Sequence, residues 1–287
     1  MRFEKYDNAG AFADSALDIL LEDEVQNNLL VSFAKTDSAN TSSWFLATVR
    51  DNDGSIVLTA ACTPPFNIVL YETGNKSNDA AVKLLSDELK NMGILLPGVL
   101  ARQELAVRFA SEYAKRTGYY RHTTMNIMRL DEITVSERSP GGCRPLREDD
   151  FYFIPYWERA FSEECNVEVY ELKARAEQLR QRLGQDTFYI WEDNHPVSQA
   201  AQGRRTENGA VISSVYTPPF YRNKGYASSL VTELSHMLLD RGAKFCCLFA
   251  DANNPISCGI YRKIGFYDLC IYDEIKFSKS APLLYNR

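Results

Sequence analysis

The feature that most constrains the fold is a polar break close to the midpoint of the chain. The segment Ser136-Glu137-Arg138-Ser139-Pro140-Gly141-Gly142 has no large apolar side chain and ends in Pro-Gly-Gly, which is typical of a linker between domains. It divides the 287 residues into halves of the usual size of one domain. We therefore predict two domains, residues 1–135 and 142–287.

Short sequences recur in the same order in both halves, which favours an internal duplication. Cys62-Thr63-Pro64-Pro65-Phe66 resembles Tyr216-Thr217-Pro218-Pro219-Phe220, and each sequence follows a strand-like run. Residues 113–119 (Tyr, then Gly-Tyr) likewise resemble residues 261–266 (Tyr, then Gly-Phe), each near the end of a helix-like segment. We therefore predict that both halves share one fold.

Hydrophobic periodicity predicts that strands and helices are mixed in each half. The first half has helices at about residues 10–33, 78–92 and 101–116, and strands at about 44–50, 56–61 and 67–72. The second half has helices at about 150–163, 167–183, 225–241 and 255–263, and strands at about 187–192, 197–203, 209–216 and 244–250, with a last pair near 266–277. This pattern predicts an α+β or mixed α/β fold in which each domain has a mixed, mostly antiparallel sheet flanked by helices.

Composition excludes several classes of partner and site. A net charge of −6 disfavours binding to a nucleic-acid backbone and mildly favours a cationic substrate. No run approaches the roughly 18 apolar residues of a membrane span, and no signal-peptide core follows Met1, so we expect a cytoplasmic protein without membrane contact. Seven cysteines without C-x-x-C spacing indicate free thiols rather than disulfides or zinc ligands.

The chemistry is expected in the segment that runs from Val215 to Ala227, where a strand enters a turn and the turn opens an amphipathic helix. The first amides of a helix have no intrahelical partner and carry the positive end of its dipole. Such a turn can hold a pyrophosphate, provided that the backbone can approach closely. Gly225 permits that approach, and Arg222 and Lys224 add positive charge.

Three sequence blocks in this half together resemble the GCN5-related N-acetyltransferases (GNAT). They are Arg222-Asn223-Lys224-Gly225-Tyr226-Ala227, Asn254 with Tyr261 seven residues later, and Gly265-Phe266. The order and the spacing of the blocks fit the family, and Arg144-Pro145-Leu146-Arg147 resembles its first strand. The resemblance implies two tandem acetyltransferase-like domains, acetyl-CoA as cosubstrate, no metal, and an amine of a small molecule or peptide as acceptor.

The resemblance also implies a role for each matching position. The pyrophosphate of coenzyme A would be held by the backbone of Arg222, Asn223, Lys224, Gly225, Tyr226 and Ala227. Val215 and Tyr216 would offer strand-edge groups to the pantetheine arm, and Asn254 would approach the pantetheine or the phosphates. Tyr261 would be the catalytic acid, because a departing thiolate needs a proton that a tyrosine hydroxyl can give.

Other parts of the site are not determined by the sequence. Glu158, Glu163 and Glu164 lie where the family often lines the acceptor site, but a glutamate at such a position is more often simply a solvated helix carboxylate. A coenzyme A sensor without turnover stays open as an alternative to an enzyme, and thiol release from acetyl-CoA across a panel of amines distinguishes the two.

The first half carries no counterpart of the Arg-x-x-Gly-x-Ala sequence. Residues 67–72 follow Phe66 as an apolar strand, where the second half places its glycine-containing turn. We therefore expect residues 1–135 to be a degenerate copy of the fold that has lost the phosphate-binding turn and does not bind coenzyme A.

Overall fold

The chain is described by a computed structural model that covers residues 1–74, 77–115, 117–134, 138–167 and 169–278. Two units are present, the first formed by Met1–Asn126 with Cys270–Arg287 and the second by Ile127–Leu269. The predicted linker lies within the sequence of the second unit, and its Ser136 and Glu137 are outside the described residues. Residues from Cys270 onward, which we had placed in the second domain, belong to the first unit.

The first unit has its helices on a sheet of mostly antiparallel strands. Its elements are β1 (Arg2–Tyr6), α1 (Ala9–Glu22), α2 (Asn28–Ala34), β2 (Phe45–Arg50), β3 (Ile56–Cys62), β4 (Ile68–Glu72), α3 (Asp79–Asn91), β5 (Gly98–Arg102), α4 (Gln103–Tyr113) and β6 (Tyr119–Leu130). Its strands follow the order β1-β2-β3-β4-β5-β12-β6, in which β12 (Tyr267–Phe277) comes from the end of the chain. Only β4 and β5 among the registered pairs here are parallel.

The second unit repeats this order of elements. Its elements are β7 (Gly142–Pro145), α5 (Ile154–Glu164), α6 (Leu172–Arg180), β8 (Phe188–Asp193), β9 (His195–Arg205), β10 (Gly209–Tyr216), α7 (Tyr226–Asp240), β11 (Phe245–Asp251) and α8 (Pro255–Ile264). The strand order is β6-β11-β10-β9-β8-β7, with β10 and β11 parallel and β7 to β10 antiparallel. The boundary between the units falls inside β6 and β12. The predicted fold class, two tandem domains each with a mixed and mostly antiparallel sheet, is thereby confirmed.

The helix that follows the glycine-containing turn is fixed by its apolar face. Leu230, Val231 and Leu234 are fully buried, and they pack with strand residues such as Cys246 and with Ile264 of α8. Full burial of a side chain of this size contributes about 1.5–3 kcal/mol, so α7 is held firmly on the sheet. These contacts confirm the amphipathic helix that the sequence predicts after the turn.

Three predicted elements differ from the structure. The helix at residues 10–33 is two helices, because Asn27 Nδ2 donates to Leu20 O (3.1 Å) and ends α1 at a buried turn. The helix predicted from residue 101 is preceded by β5, whose Val99 and Ala101 are fully buried in the sheet. The last strand pair is the single strand β12, which pairs with β5 over five residues.

One of the two pairs of similar sequences does not occupy equivalent positions in the two units. Residues 62–66 connect β3 to β4, whereas residues 217–220 connect β10 to α7. Since β4 corresponds to β10 in the order of elements, the two Thr-Pro-Pro-Phe sequences occupy different loops. The second pair does occupy equivalent positions, because residues 113–119 and 261–266 each connect a helix to the following strand.

Candidate functional site

The central strands of the second unit separate halfway along their length. β10 and β11 pair at Gly209↔Phe245, Ala210↔Cys246 and Val211↔Cys247, and they form no pair beyond Val211. β10 nevertheless continues to Tyr216 and β11 to Asp251. Residues 212–216 therefore have one edge without a strand partner, and that edge can bond to an extended ligand.

A backbone irregularity lies on this free stretch of β10. Ser214 has φ +50°, and the register to β9 shifts between Ser213 and Tyr216. A non-glycine residue with positive φ is uncommon and costs free energy, which makes it an indicator of a functional site. Sequence reasoning missed Ser214, and the only available signal was the polar pair Ser213-Ser214 in an otherwise apolar strand.

Buried polar side chains hold the bulge from the side of α5. Gln199 Nε2 donates to Ser214 O (3.3 Å) and to Glu158 Oε1, while Ser214 Oγ lies 3.5 Å from Glu158 Oε2. Arg175 Nε donates to the same Glu158 oxygen (3.0 Å). Glu158 is 2% exposed and Gln199 is fully buried. The amide group of Gln199 must face these two acceptors, and its Oε1 has no partner.

The glutamates proposed from the sequence are therefore all engaged. Glu158 is held by Arg175 and Gln199, Glu163 pairs with Arg159 one helical turn away, and Glu164 pairs with Arg222. Gln199 and Arg175 were not predicted, although Gln199 is recognisable as a polar residue in the apolar run of β9.

The turn before α7 presents its backbone to solvent. Asn223 and Gly225 have φ of +63° and +77°, and residues 222–225 are exposed. Gly225 is the N-cap residue of α7, and no side chain caps this helix. The amides of residues 223–228 have no hydrogen-bond partner among the described residues. An anion at this position would find several amides directed at it.

A side chain at position 225 would fill the turn. A Cβ atom there would lie 2.6 Å from Ser139 Oγ, which itself donates to Lys224 O (2.7 Å). Ser139 N also donates to Ser229 Oγ (2.8 Å) on the first turns of α7. The segment around Ser139 thus packs against the turn, and a side chain at position 225 would displace the Ser139 hydroxyl and be strained by the positive φ.

The two cations of the turn differ in their contacts. Arg222 donates from Nη2 to both oxygens of Glu164 (2.9 and 2.7 Å) and from Nε to Thr217 O (2.8 Å). Its amide donates to Pro219 O (3.3 Å), so the row of free amides begins at Asn223. The ammonium of Lys224 lies 6.0 Å from the ring centre of Phe220 and has no carboxylate partner among the described residues.

The remaining predicted residues of β10 and α7 are held by contacts with other elements of the second unit. Tyr226 is buried, and its hydroxyl donates to Asp193 Oδ2 (2.7 Å). Val215 packs against the core beneath α7, where Ala227 is partly buried. The carbonyl of Tyr216 accepts from Ser198 Oγ (3.1 Å), which holds the end of β10 to β9.

Asn254 and Tyr261 both lie on α8. Asn254 Oδ1 accepts from Ser257 N (3.1 Å) and caps the helix, a structural role that leaves only the amide nitrogen for a ligand. The ring of Tyr261 packs edge-to-face with Phe266 (centroids 5.9 Å apart). Its hydroxyl makes no hydrogen bond to the described part of the chain.

The end of α5 lies near both the turn before α7 and Tyr261 of α8. Glu164 contacts Arg222 and Tyr216 of the turn, and the next residue, Cys165, lies close to Tyr261. Burial and then the nearby thiol of Cys165 raise the pKa of Tyr261 well above its usual range. Burial also raises the pKa of Cys165 to about 11. Near neutral pH the site therefore holds a protonated phenol and a protonated thiol.

The described residues also bear on metal binding, membrane crossing and disulfides. The described residues contain no group of three or more His, Cys, Asp or Glu side chains placed to hold a metal ion. None of their helices combines the length and the apolar character that crossing a bilayer requires. None of the seven cysteines is in a disulfide.

Comparison with solved structures gives the fold of the whole chain. A GCN5-related N-acetyltransferase from Sphaerobacter thermophilus is similar over 98% of this chain and 98% of its own, with a TM-score of 0.63 at 15% identity. An acetyltransferase of the GNAT family from Colwellia psychrerythraea is similar over 96% and 99%, with a TM-score of 0.58 at 8% identity. At such identities the likeness shows the fold alone.

A tandem arrangement also has a counterpart among the solved structures. A tandem GNAT protein from the clavulanic acid biosynthesis pathway is similar over 98% of this chain and 99% of its own, with a TM-score of 0.56 at 12% identity. No curated protein matches the sequence. The model of the acetyltransferase (GNAT) family matches residues 150–266, which run from the start of α5 through the turn before α7 to the end of α8. Residues 150–266 therefore form a domain of the GNAT family of acetyltransferases.

Proposed function

We propose that the chain is an N-acetyltransferase that moves the acetyl group of acetyl-CoA directly to an amine of a small molecule or peptide. The observation that carries this proposal is the uncapped start of α7, which has amides without partners among the described residues, a positive φ at Gly225, and the Ser139 hydroxyl 2.6 Å from where a Cβ atom would lie. It stands beside the point where β10 and β11 separate. A diphosphate and an extended arm attached to it fit these two features.

Each predicted binding residue has a role under this proposal. The amides of Asn223, Lys224, Gly225, Tyr226 and Ala227 would hold the pyrophosphate of acetyl-CoA, and the ammonium of Lys224 would add charge. Arg222 would act mainly by fixing the turn to Glu164. The free edge at Val215 and Tyr216 would bond to the pantetheine arm, with Asn254 Nδ2 nearby on α8.

Bound acetyl-CoA would supply a thioester carbonyl that is open to attack by an amine. Tyr261 keeps the proton on its hydroxyl at neutral pH, since its pKa is raised by burial and by Cys165. Because that hydroxyl has no hydrogen-bond partner among the described residues, it is available to give its proton to the leaving sulfur. Strand amides near Ser214 are candidates for stabilising the developing oxyanion.

The acceptor side is supported by the contacts of α5. Glu158 and Gln199 fix the bulge at Ser214, and a bulge held on both its carbonyl and its hydroxyl keeps the neighbouring amides in place. Since Glu158, Glu163 and Glu164 are all engaged, we assign the general base to none of them. The attacking amine would lose its proton to water.

We propose that the first unit is a degenerate copy that does not bind coenzyme A. The start of α3, which corresponds to α7, is capped by Asn78 Oδ1 on Ala81 N (3.1 Å), and Glu72 Oε1 accepts from Asn78 N (2.7 Å). These side chains occupy the amides that a phosphate needs, and Glu72 and Asp79 add negative charge.

The opening between strands in the first unit is also covered. β4 and β5 pair only at Ile68↔Val99 and Val69↔Leu100. The turn between α1 and α2 contacts both sides of β5, through Tyr71 to Asp23 (2.8 Å) and Tyr272 to Gln26 (3.3 Å). Gln26 is 7% exposed in this turn, and under this proposal the chain itself would fill the place of a pantetheine arm.

The experiment that tests the proposal measures thiol release from acetyl-CoA across a panel of amines, polyamines, amino sugars and peptides. We expect one class of amine to release free coenzyme A and to gain the mass of one acetyl group. Binding of acetyl-CoA in calorimetry without release of thiol for any amine would instead favour a sensor. Absence of binding would remove both accounts.

A further inference from the structure

The first unit contains a large, half-enclosed cavity at the end of its sheet opposite to α3's start. Its volume is about 1180 Å³, and its lining is mostly apolar. Its walls come from the turn before β2, the β3–β4 loop, the α3–β5 loop and the end of α4. The apolar side chains include Trp44, Phe45, Phe66, Ile94, Leu95 and Phe277. Cavities of this size and character are the usual form of small-molecule sites.

Hydrogen bonds between the walls keep the cavity open. Tyr113 Oη donates to Ile94 O (2.6 Å) and accepts from Leu96 N (3.2 Å), so one hydroxyl clamps the α3–β5 loop on both sides of Leu95. On the other side, Cys62 Sγ donates to Phe66 O (3.3 Å) and closes the β3–β4 turn. A preformed cavity binds without the cost of ordering its walls.

Apolar side chains are presented at the rim. Leu95 is 93% exposed although the residues on both sides of it are clamped, and Phe66 is 48% exposed. A fixed loop that holds a large aliphatic group in water loses the free energy of burying it. A ligand with an apolar body that covers Leu95 and Phe66 would recover that free energy.

The charges around the cavity are of one sign. Lys5, Lys90 and Lys276 line it, and none of the described lining residues is an aspartate or a glutamate, although the chain has a net charge of −6. Lys276 is paired with Glu274 (2.8 Å). Lys5 and Lys90 form no ion pair with a described carboxylate, and Lys90 instead donates to Glu112 O (2.9 Å).

We infer that this cavity is a binding site for a small amphipathic anion, a carboxylate with an alkyl or aryl body. The body would lie against Trp44, Phe66 and Leu95, and the carboxylate would face Lys5 and Lys90. The site belongs wholly to the first unit and is independent of acetyl transfer. The first unit, which we propose has lost its phosphate-binding turn, would thus bind a ligand of its own.

Equilibrium dialysis of the full chain with labelled decanoate tests the inference, with decanol as the uncharged probe of the same length. We expect saturable binding of decanoate. The double variant Lys5→Glu/Lys90→Glu should raise the dissociation constant for decanoate about tenfold and leave that for decanol within about twofold, because only the anion meets the reversed charges. Lys244→Glu, which alters an exposed lysine of the second unit, should leave both constants unchanged.

A second variant tests the apolar part of the cavity. Ser43→Trp places an indole in the opening from an exposed position, so it should fold normally and remove the binding of both probes. Equal decanoate affinity in the double variant and in Lys244→Glu, or no saturable binding by the full chain, would overturn the inference. So would binding that appears only after residues 279–287 are removed, or a dimer that Ser43→Trp dissociates, since the occupant would then be this chain.

Discussion

At the residue scale, the proposed acid role of the Tyr261 hydroxyl can be tested by a single substitution. Tyr261→Phe keeps the edge-to-face contact with Phe266 and removes no hydrogen bond to the described residues, so stability should not change. We expect kcat for thiol release to fall about 100-fold, the usual contribution of a general acid, while acetyl-CoA affinity stays within about twofold. Steady-state kinetics with calorimetry checks this, and unchanged turnover would remove the acid role.

The same residue makes a prediction about pH. Its raised pKa keeps the phenol protonated through the neutral range, and the acid function is lost only as the pH rises through that pKa. The wild-type rate should therefore show no decline from this group below about pH 10, the unperturbed value for tyrosine. A descending limb near pH 8 that is absent in Tyr261→Phe would contradict the assignment.

Two glutamates on one helix provide a matched pair for stability. Glu158→Ala removes a carboxylate that is 2% exposed and leaves Arg175, Gln199 and Ser214 without their shared acceptor, so we expect a loss of about 2–4 kcal/mol in unfolding free energy. Glu163→Ala breaks an exposed pair and should cost no more than about 0.5 kcal/mol. Urea denaturation of both variants measures the difference, and equal losses would show that the buried network does not hold the bulge.

Residues of this site differ in how far the sequence could predict them. Gly225 was identified because a glycine lets the backbone approach a phosphate closely, and in the structure it has a φ of +77°. Ser214 and Gln199 were not identified, since a bulge arises from pairing between strands and leaves no periodic signal. The role of Asn254 as a helix cap follows from local geometry that a family resemblance does not determine.

At the scale of elements, we assign the proposed function to the start of α7, and the two ends of this helix allow a controlled comparison. Gly225 and Gly242 both have positive φ (+77° and +92°) and both are exposed. Valine at either position adds backbone strain of about 1–3 kcal/mol. Only Gly225→Val also places a side chain against Ser139 beside the free amides.

We therefore expect Gly225→Val to weaken acetyl-CoA binding at least about 100-fold, because several amide contacts are lost together. Gly242→Val should lower stability to a similar extent and leave acetyl-CoA affinity within about twofold. Calorimetric titration of both variants with acetyl-CoA measures these affinities. Equal affinities would mean that the coenzyme does not bind at the start of α7.

Element prediction succeeded where one pattern dominates. The long apolar face of α7 and the alternation in β8 to β10 were enough to place those elements within a few residues. β5 was missed because five residues between Pro97 and a helix carry too little periodicity, and only its burial between neighbouring strands defines it. The Thr-Pro-Pro-Phe similarity was misleading because the two sequences are alike but lie at different positions in the order of elements.

At the scale of the whole molecule, the first unit depends on the end of the chain. β12 contributes buried Tyr272 and Ile275 to it, and buried Asp273 accepts from Arg121 Nε (2.8 Å) and Thr124 Oγ1 (2.7 Å). A sequence contains no local sign of a strand supplied from about 150 residues away, a separation at which only tertiary pairing acts. This is why the predicted domains 1–135 and 142–287 differ from the units of the structure.

A fragment of residues 1–134 should consequently fail to fold. It leaves the edge of β5 without the five pairs that β12 provides, and it removes apolar core side chains. Joining residues 270–278 to that fragment through a flexible Gly-Ser linker should restore cooperative unfolding in circular dichroism. A sharp thermal transition of the unextended fragment would show that the last strand is dispensable.

The central claim is that a diphosphate binds to the free amides at the start of α7 and not to the capped start of α3. Crystals of the full chain grown with acetyl-CoA test it most directly. The account predicts one coenzyme per chain, with its pyrophosphate against the amides of residues 223–227 and its thioester near Tyr261. A coenzyme bound at the start of α3, or a turn before α7 left empty at saturating acetyl-CoA, would contradict it.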